Sequence, residues 1–268
     1  MNTWRFVDTG ASTARYNMSV DQAILTAHAH DKCKPTLRIY QWDPPAISLG
    51  YFQRRHGINL EACQNLGIDV IRRPTGGRAV LHFGDLTYSV VAGVNDGMPA
   101  SVTAAYQLIC KGLLETFKLL GFEAQIRNSR GTPAQSDNCF LTKTAGDVLY
   151  KGKKFVGSAQ TWYKSSMLQH GSIVLEPQSC FWVNLQGYGK SLCINNDILE
   201  HETTSIKEIL GYIPEKGEIR NALLKGMSRT LGVEFEAGGL TGEELTLAEK
   251  IVKQYSQQST TRSFQLIS

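Results

Sequence analysis

Apolar residues recur at helical spacing in four parts of the chain. Residues 101–120 have the clearest pattern, with Ser101 before it and Gly121 as its stop. A helix is also predicted over 12–29, with Ser12 as its N-cap, and a short one over 59–66, ended by Gly67. From about residue 205 the pattern is helical again, with one helix beginning near 217–218 and another over 245–255. The apolar face of the helix over 101–120 is expected to carry Val102, Ala105, Ile109, Leu113, Phe117 and Leu120.

Short apolar or alternating runs between these helices predict strands. The predicted strands are 37–42, 46–49, 68–71, 86–91, 122–126, 147–150, 154–162 and 167–175. Lys151-Gly152-Lys153 is typical of a hairpin turn. Because strands and helices mix without strict βαβ alternation, we predict an α+β (mixed α/β) fold. A mixed or antiparallel sheet flanked by helices would form a catalytic domain over 1–204, with a helical C-terminal extension over 205–268 packed on it.

Composition narrows the class of protein. The 268 residues are 42% hydrophobic and 19% charged, which is ordinary for a globular protein. The net charge of +4 suits an acidic protein partner but is too small for a nucleic-acid-binding surface. No run approaches the roughly 18 apolar residues of a membrane span, and the N-terminus has no signal-peptide core. The six cysteines form no CxxC pair, so we expect a cytoplasmic protein with free thiols rather than a disulfide framework or a zinc ribbon.

Two glycines mark the first candidate site. Gly76 and Gly77 lie between the predicted strands 68–71 and 86–91, where glycine permits positive φ or close approach of a ligand. Together with Arg73 they could bind a phosphate or shape a narrow channel, although most glycine pairs are simply turns. The chain contains no GxxxxGK[ST], GxGxxG or GxSxG pattern, which argues against the commonest nucleotide-dependent mechanisms.

Cys139 and Lys154 are the candidates for covalent chemistry. Cys139 ends a polar loop over 127–138, whereas Cys110 falls within a predicted helix and is expected in the core. A thiol becomes a good nucleophile near neutral pH when a cation lies close, and Lys154 could supply that cation. Alternatively, Cys139 is a small apolar loop residue. A pocket of backbone, one thiol and one amine favours acyl transfer over hydride or metal chemistry.

The histidines are interpreted as structural. His82 and His170 each fall near a predicted strand end, where a hydrogen-bonded histidine that orders a loop is the favoured interpretation. His28 and His30 with Cys33 form the only cluster of metal-ligand types. This cluster has no fourth ligand at a recognisable spacing, so we interpret it as a solvated helix end and predict no metal site.

Three motifs taken in order carry a family resemblance. They are Arg72-Arg73-Pro74-Thr75-Gly76-Gly77-Arg78-Ala79-Val80-Leu81-His82, Lys154-x-x-Gly157-Ser158-Ala159-Gln160 and Gln169-His170-Gly171-Ser172. Together they resemble the biotin/lipoate protein ligase and octanoyltransferase superfamily, over residues from about Trp4 to Leu175. The helical part that follows also looks similar to that superfamily.

The details resemble the cysteine-dependent octanoyltransferases of Gram-positive type. ATP-dependent lipoate ligases usually have a third glycine where this chain has Arg78, and they generally lack a cysteine shortly before the lysine motif. In another octanoyltransferase class the nucleophile follows the lysine motif, which makes Cys180 the competitor. The Cys139-Phe140 context, upstream of Lys154, favours Cys139.

The resemblance implies a mechanism without a cofactor or ATP. Cys139 would take an octanoyl group from octanoyl-acyl carrier protein as a thioester and pass it to a lysine of a lipoyl domain or of the glycine-cleavage H protein. Lys154 would stabilise the thiolate and the oxyanion, and the glycines would leave space for the acyl chain. The substrate-binding residues implied are Arg73, Gly76, Gly77, Arg78, His82, Gly157, Ser158, Ala159, Gln160 and His170. No nucleic acid and no membrane is expected as a partner.

Three other functions remain open at this point. The first is an ATP-dependent lipoate–protein ligase that uses the same fold and lysine. The second is an amidotransferase that moves octanoyl groups between lipoyl-type proteins. The third is a binding protein for lipoyl domains or acyl groups that catalyses nothing.

Overall fold

A large mixed sheet organises the fold. The computed structural model describes residues 2–53, 58–127, 146–178, 185 and 200–257. Eight strands form the main sheet in the order β11-β1-β2-β6-β10-β9-β8-β7, and three form a small sheet in the order β4-β3-β5. The strands are β1 (Asn2–Ser12), β2 (Thr36–Trp42), β3 (Ala46–Leu49), β4 (Asp69–Arg72), β5 (Val80–His82), β6 (Asp85–Gly93), β7 (Gln125–Ile126), β8 (Val148–Tyr150), β9 (Lys153–Tyr163), β10 (Ser166–Val174) and β11 (Val233–Ala237). Both sheets contain parallel and antiparallel pairs. The parallel pairs are β1 with β2, β1 with β11, and β3 with β4.

Helices cover both faces of the main sheet. In the described ranges they are α1 (Ala14–His28), α2 (Leu60–Asn65), α3 (Val102–Leu119), α4 (Ile206–Leu210), α5 (Lys216–Leu231) and α6 (Gly242–Gln257), with a 3-10 turn at Val94–Asp96. One buried core joins α3 and α5 to residues of the central strands such as Leu37, Ile39 and Tyr88. A second core joins α1 and α6 to residues of the same strands that point the other way, such as Tyr40 and Val91. The alternation of side chains along each strand therefore separates the two cores.

Helices α3 and α5 approach closely because glycine lies at their contact. A Cβ on Gly226 would lie 2.6 Å from Thr116 N and 2.8 Å from Gly112 O, and one on Gly112 would lie 2.5 Å from Met227 Sδ. Neither position has room for a larger side chain at this separation. This packing holds α5 against the buried core on one face of the main sheet.

The structure confirms the predicted fold class and most of the elements. The helix over 101–120 is α3, capped by Ser101, although Val102 is exposed rather than on the apolar face. The predicted N-cap Ser12 was wrong: Ser12 is the last residue of β1, and the Thr13 side chain accepts the hydrogen bond from Tyr16 N. Strands β1, β5 and β11 were not predicted.

The C-terminal part contributes a strand as well as helices. β11 pairs with β1 at the edge of the main sheet, and α6 packs on α1. Arg5 on β1 forms a buried ion pair with Glu244 on α6. Burial would lower the pKa of Arg5, but hydrogen bonding and attraction to Glu244 outweigh it and raise that pKa. The division of the chain at residue 204 stays a prediction. No helix within the described ranges is long and apolar enough to cross a membrane.

Candidate active site

A cavity lies between the central strands of the main sheet and the small sheet. It holds about 350 Å³ of empty space, counting its open mouth. Two of the three sequence motifs that predicted a site meet along its wall, because Gly157, Ser158 and Ala159 on β9 pair with Ser172, Gly171 and His170 on β10. The first motif adds Arg73, Val80 and His82. The cavity therefore gathers residues that are far apart in sequence.

Gly171 allows the strands to close around this wall. A Cβ at this position would lie 2.5 Å from Ser158 Oγ, 2.6 Å from Tyr88 Cε1 and 2.9 Å from Gly157 O. The space that a side chain would fill is occupied by the hydroxyl of Ser158, which lies 2.7 Å from the Tyr88 hydroxyl. Glycine is thus required here for close packing.

Arg73 holds the glycine loop in place. Its Nη2 donates to the carbonyls of Gly76 (2.7 Å) and Arg78 (2.8 Å), and its Nη1 donates to the carbonyl of Ser48 (2.7 Å). Its Nε and Nη1 also reach the hydroxyls of Thr75 and Ser48, each at 3.2 Å. The guanidinium therefore stabilises the loop through backbone acceptors.

Gly77 and Gly50 let this loop pack against the turn after β3. Gly77 has a φ of +96°, in the region that favours glycine. A Cβ on Gly50 would lie 1.9 Å from Gly77 O. A side chain at Gly50 would push the loop away from the cavity.

His170 belongs to a buried network built on Asp21. The Nδ1 of His170 lies 3.0 Å from Asp21 Oδ2, and its Nε2 lies 2.7 Å from Thr75 Oγ1. Asp21 also accepts from Arg38 Nη1 (2.6 Å) and from the Tyr40 hydroxyl (2.8 Å). Burial by itself would raise the pKa of Asp21, but Arg38 and its other partners outweigh this and lower that pKa.

His82 belongs to a second network built on Asp85. Its Nδ1 lies 2.9 Å from Asp85 Oδ2, and its Nε2 lies 2.9 Å from Ser48 Oγ. The indole of Trp42 stacks on the imidazole at 3.8 Å between ring centroids and donates from Nε1 to Thr87 Oγ1 (2.8 Å). The imidazole plane is therefore fixed by hydrogen bonds at both nitrogens and by the stacked ring.

Lys154 is buried next to a carboxylate. It lies on β9, three residues before Gly157, and its Nζ is 2.8 Å from Asp147 Oδ1. Both side chains are almost fully buried, so the ammonium is positioned rather than mobile. A buried ammonium held in this way can donate hydrogen bonds to negative charge that forms nearby.

Comparison with known proteins gives the family. The model of the lipoyl protein ligase A/B catalytic domain matches residues 13–228. The chain is 39% identical over 265 residues to "Octanoyltransferase LipM" of Kyrpidia tusciae, covering 95% of this chain and 97% of the relative. It is 34% identical over 263 residues to the protein of the same name from Bacillus subtilis, covering 94% of each. The chain belongs to the lipoyl protein ligase A/B catalytic domain family.

Solved structures share the fold of this family member. A lipoate-protein ligase A bound with ATP superposes with a TM-score of 0.79 at 23% identity, covering 96% of each chain. A putative lipoate protein ligase from T. acidophilum with bound lipoic acid gives the same TM-score and identity, covering 97% of this chain and 98% of that one. These structures confirm the fold, and the family model and the relatives confirm the resemblance inferred from the three motifs.

Lys154, buried beside Asp147, is not among the residues that line the cavity, and the other predicted site residues fall into three groups. Arg73, His82, Gly157, Ser158, Ala159 and His170 line the cavity. Gly76 and Arg78 contact Arg73 through their carbonyls, Gly77 is exposed, and Gln160 bonds to Gln169 at 3.2 Å. Cys139, its neighbour Phe140 and the competing Cys180 lie outside the described residues.

The cysteines that the structure describes are poorly suited to nucleophilic attack. Burial raises the pKa of Cys33 and Cys110 to about 12 and that of Cys63 to about 11. Such thiols hold very little thiolate near neutral pH. Cys110 is fully buried, as predicted from its place in a helix.

The histidine predictions need two corrections. Both His82 and His170 are hydrogen-bonded, as expected, but His170 lies in the middle of β10 rather than near a strand end. His28 is buried between Ser166 Oγ (2.8 Å) and Asp96 Oδ2 (3.0 Å), so the end of α1 is not simply solvated. Within the part of the chain that the structure describes, no group of three or more His, Cys, Asp and Glu residues could hold a metal ion.

Sequence reasoning missed the buried acids of the site. Asp85 follows His82 by three residues and also accepts from Ser172 Oγ at 2.7 Å. Asp21 falls between Met18 and Leu25 on the apolar face of α1, and a charge at such a position is the signal that could have identified it.

The stability of the domain should depend on pH through His170. Burial lowers the pKa of His170 despite its contact with Asp21. Below about pH 6.5 the unfolded chain binds a proton that the folded protein still excludes, so the free energy of unfolding falls as the pH falls. Each such group contributes up to about 1.4 kcal/mol per pH unit. We expect His170→Asn to flatten this dependence in urea unfolding measured from pH 5 to 7. Equal pH dependence in both proteins would contradict the assignment.

Proposed function

We propose that this protein is an octanoyltransferase of lipoate biosynthesis. It transfers an octanoyl group from octanoyl-acyl carrier protein, through a thioester on Cys139, to a lysine of a lipoyl domain or of the glycine-cleavage H protein. The observation that carries this proposal is the similarity over nearly the full length of both chains to proteins named octanoyltransferase. Without a disulfide pattern among the six cysteines, we assign the protein to the cytoplasm.

The cavity supports an acyl substrate. Its exposed wall is mostly apolar, although many of its lining residues carry polar side chains. Burying a methylene group contributes about 0.8 kcal/mol, so an octanoyl chain would gain several kcal/mol from this wall.

The two half-reactions use one thiol and one ammonium. The Cys139 thiolate attacks the carbonyl carbon of the donor thioester, and the tetrahedral intermediate expels the thiolate of the carrier protein. The neutral amine of the acceptor lysine then attacks the new thioester, loses a proton and expels the Cys139 thiolate, leaving an amide. Lys154 donates hydrogen bonds to the oxyanion of each intermediate. ATP is not consumed, because the donor is already a thioester.

The charge of the protein supports the proposed partners. A net charge of +4 favours association with acidic proteins such as acyl carrier protein and lipoyl domains. This electrostatic contribution should weaken as the salt concentration rises.

Intact-protein mass spectrometry tests the proposal. Wild type, Cys139→Ala and Cys180→Ala are each mixed with octanoyl-acyl carrier protein without ATP. Wild type and Cys180→Ala should gain the mass of one octanoyl group, and Cys139→Ala should gain nothing. Adding a lipoyl domain should then remove the adduct from the enzyme and add the same mass to the domain.

The other functions give different results when the same measurement is repeated with free octanoate and ATP, or with an octanoylated lipoyl-type protein as the donor. An adduct lost only in Cys180→Ala would refute the choice of nucleophile. No adduct with the carrier protein, but octanoylation of the lipoyl domain from free octanoate and ATP, would indicate a ligase. An adduct formed only from an octanoylated lipoyl-type protein would indicate an amidotransferase, and no transfer at all would indicate a binding protein.

A further inference from the structure

Polar side chains that line the cavity are hydrogen-bonded to other groups of the protein. This is so for Ser48, Arg73, His82, Thr87, Ser158, His170 and Ser172, and for the polar atoms of Tyr40 and Trp42. Three buried side-chain atoms without a partner in the described residues are Trp4 Nε1, Ser19 Oγ and Arg127 Nε, and none of these residues lines the cavity. The polar lining groups are thus already hydrogen-bonded within the protein.

Arg73 fixes the direction of the hydrogen bonds at the centre of this wall. A guanidinium only donates, so the hydroxyls of Ser48 and Thr75 accept from Arg73. Each hydroxyl has one proton, which it can then donate to the imidazole nitrogen beside it. Ser48 donates to His82 Nε2, and Thr75 donates to His170 Nε2.

The two imidazoles complete the chain. With Nε2 accepting, each ring carries its proton on Nδ1 and donates to a carboxylate, His82 to Asp85 and His170 to Asp21. Each series of hydrogen bonds, from Arg73 through a hydroxyl and an imidazole, therefore ends at a carboxylate that accepts. The hydroxyls of Ser48 and Thr75 therefore occupy the Nε2 atoms of His82 and His170, the two histidines that line the cavity.

We propose that Ser48 and Thr75 determine specificity by making this cavity accept a saturated acyl chain and reject a chain that carries a hydroxyl group. This inference rests on the proposed octanoyl transfer and specifies its substrate class. A hydroxyl on the chain loses its hydrogen bonds to water on entry and finds the imidazole acceptors already occupied. The reaction therefore consumes acyl thioesters only after the reductions that remove oxygen from the chain are complete.

The size of the discrimination follows from the cost of an unsatisfied buried hydroxyl. An apolar pocket excludes an added hydroxyl only to a limited extent. We therefore expect kcat/KM for the octanoyl chain to exceed that for a hydroxylated chain by roughly 10- to 100-fold. In Ser48→Ala, His82 Nε2 loses its donor and can accept from a substrate hydroxyl. Thr75→Ala does the same at His170, because it removes the donor without leaving a methyl group against Nε2.

Competition between acyl carrier proteins measures this preference. Equimolar octanoyl- and 3-hydroxyoctanoyl-acyl carrier protein compete for the enzyme, and mass spectrometry resolves the two acyl-enzyme adducts. A second competition uses a 7-hydroxyoctanoyl chain, which places the hydroxyl near the far end of the chain. Wild type should favour octanoyl by roughly 10- to 100-fold against at least one of the two.

Variants assign the preference to particular residues. Ser48→Ala and Thr75→Ala should each reduce the preference several-fold, whatever their effect on the absolute rate. The matched control is Ser19→Ala, which removes a buried hydroxyl that has no hydrogen-bond partner among the described residues, and it should keep the wild-type ratio. A purely structural role for the hydroxyls would change the rates with both chains equally and leave the ratio unchanged.

The outcomes separate this inference from the proposed function. An octanoyl adduct with equal use of the hydroxylated chains would overturn the specificity while supporting octanoyl transfer. An unchanged ratio in both variants would overturn the roles of Ser48 and Thr75. A missing octanoyl adduct in wild type would instead refute the function itself and, with it, the substrate class inferred here.

Discussion

Replacing Asp21 with alanine should lower the free energy of unfolding by about 3–5 kcal/mol, because Arg38 would then stay buried without its counter-charge. Both side chains are fully buried, and the ion pair is 2.6 Å long. The Tyr40 hydroxyl and His170 would lose an acceptor in the same variant. Urea unfolding followed by tryptophan fluorescence would measure the change in unfolding free energy.

A surface ion pair provides the control for Asp21. Lys34 and Glu236 also form an ion pair, but both side chains are more than half exposed. Glu236→Ala should therefore change stability by less than about 1 kcal/mol. The double variant Asp21→Ala/Arg38→Met should recover part of the loss, because it removes the uncompensated charge. If Asp21→Ala were as stable as Glu236→Ala, the buried network would not have the importance assigned to it.

Replacing Lys154 with methionine should reduce octanoyl transfer by roughly 100- to 1,000-fold, the usual effect of losing one donor to an oxyanion. The same change removes the ammonium 2.8 Å from Asp147, so it should also destabilise the protein by about 3–5 kcal/mol. Activity and stability must therefore be separated. Transfer rates would be measured at a temperature where circular dichroism shows the variant to be folded.

Two further variants make this separation. Lys154→Met/Asp147→Asn should regain most of the stability, since the carboxylate is neutralised, but none of the transfer rate. Lys153→Met is the matched control: Lys153 lies next to Lys154 on β9, and its Nζ donates to the carbonyl of Glu200 at an exposed position. It should retain near wild-type transfer. Activity in the double variant would show that Lys154 serves only the structure.

Capping residues and apolar spacing predicted the elements whose boundaries depend on contacts between residues close in sequence. Helix α3 was predictable because Ser101 caps its start and its apolar positions repeat at helical spacing. At the start of α1, Ser12 and Thr13 are both good capping residues, and a strand runs directly into the helix. The choice between them depends on where β1 stops pairing with β2, which is a tertiary contact.

Strand β11 could not be recognised for a similar reason. It has only five residues, with Glu234 and Glu236 between its apolar positions. A short, polar segment between two helices has little strand signal of its own. Its partner β1 lies more than 220 residues earlier in the chain, and that pairing defines it as a strand.

The candidate site was only partly predictable. The motif residues that line the cavity carry a recognisable pattern, so Arg73, His82 and His170 were identified from sequence. Asp21 and Asp85 were missed because their role depends on contacts across the fold, such as that between Asp21 on α1 and His170 on β10. The proposed relation of Cys139 to Lys154 rests on the family resemblance and stays a prediction.

The pairing of the first strand with the last also has a consequence for synthesis of the protein on the ribosome. Until residues 233–237 emerge, one edge of β1 has no neighbour, and the face of α1 that α6 covers stays open. At about 5–20 residues per second, this state lasts for roughly 10–50 s after the first strand is made. An open strand edge beside an apolar helix face invites association with other chains. The nascent protein should therefore depend on chaperones until its C-terminal strand and helix are complete.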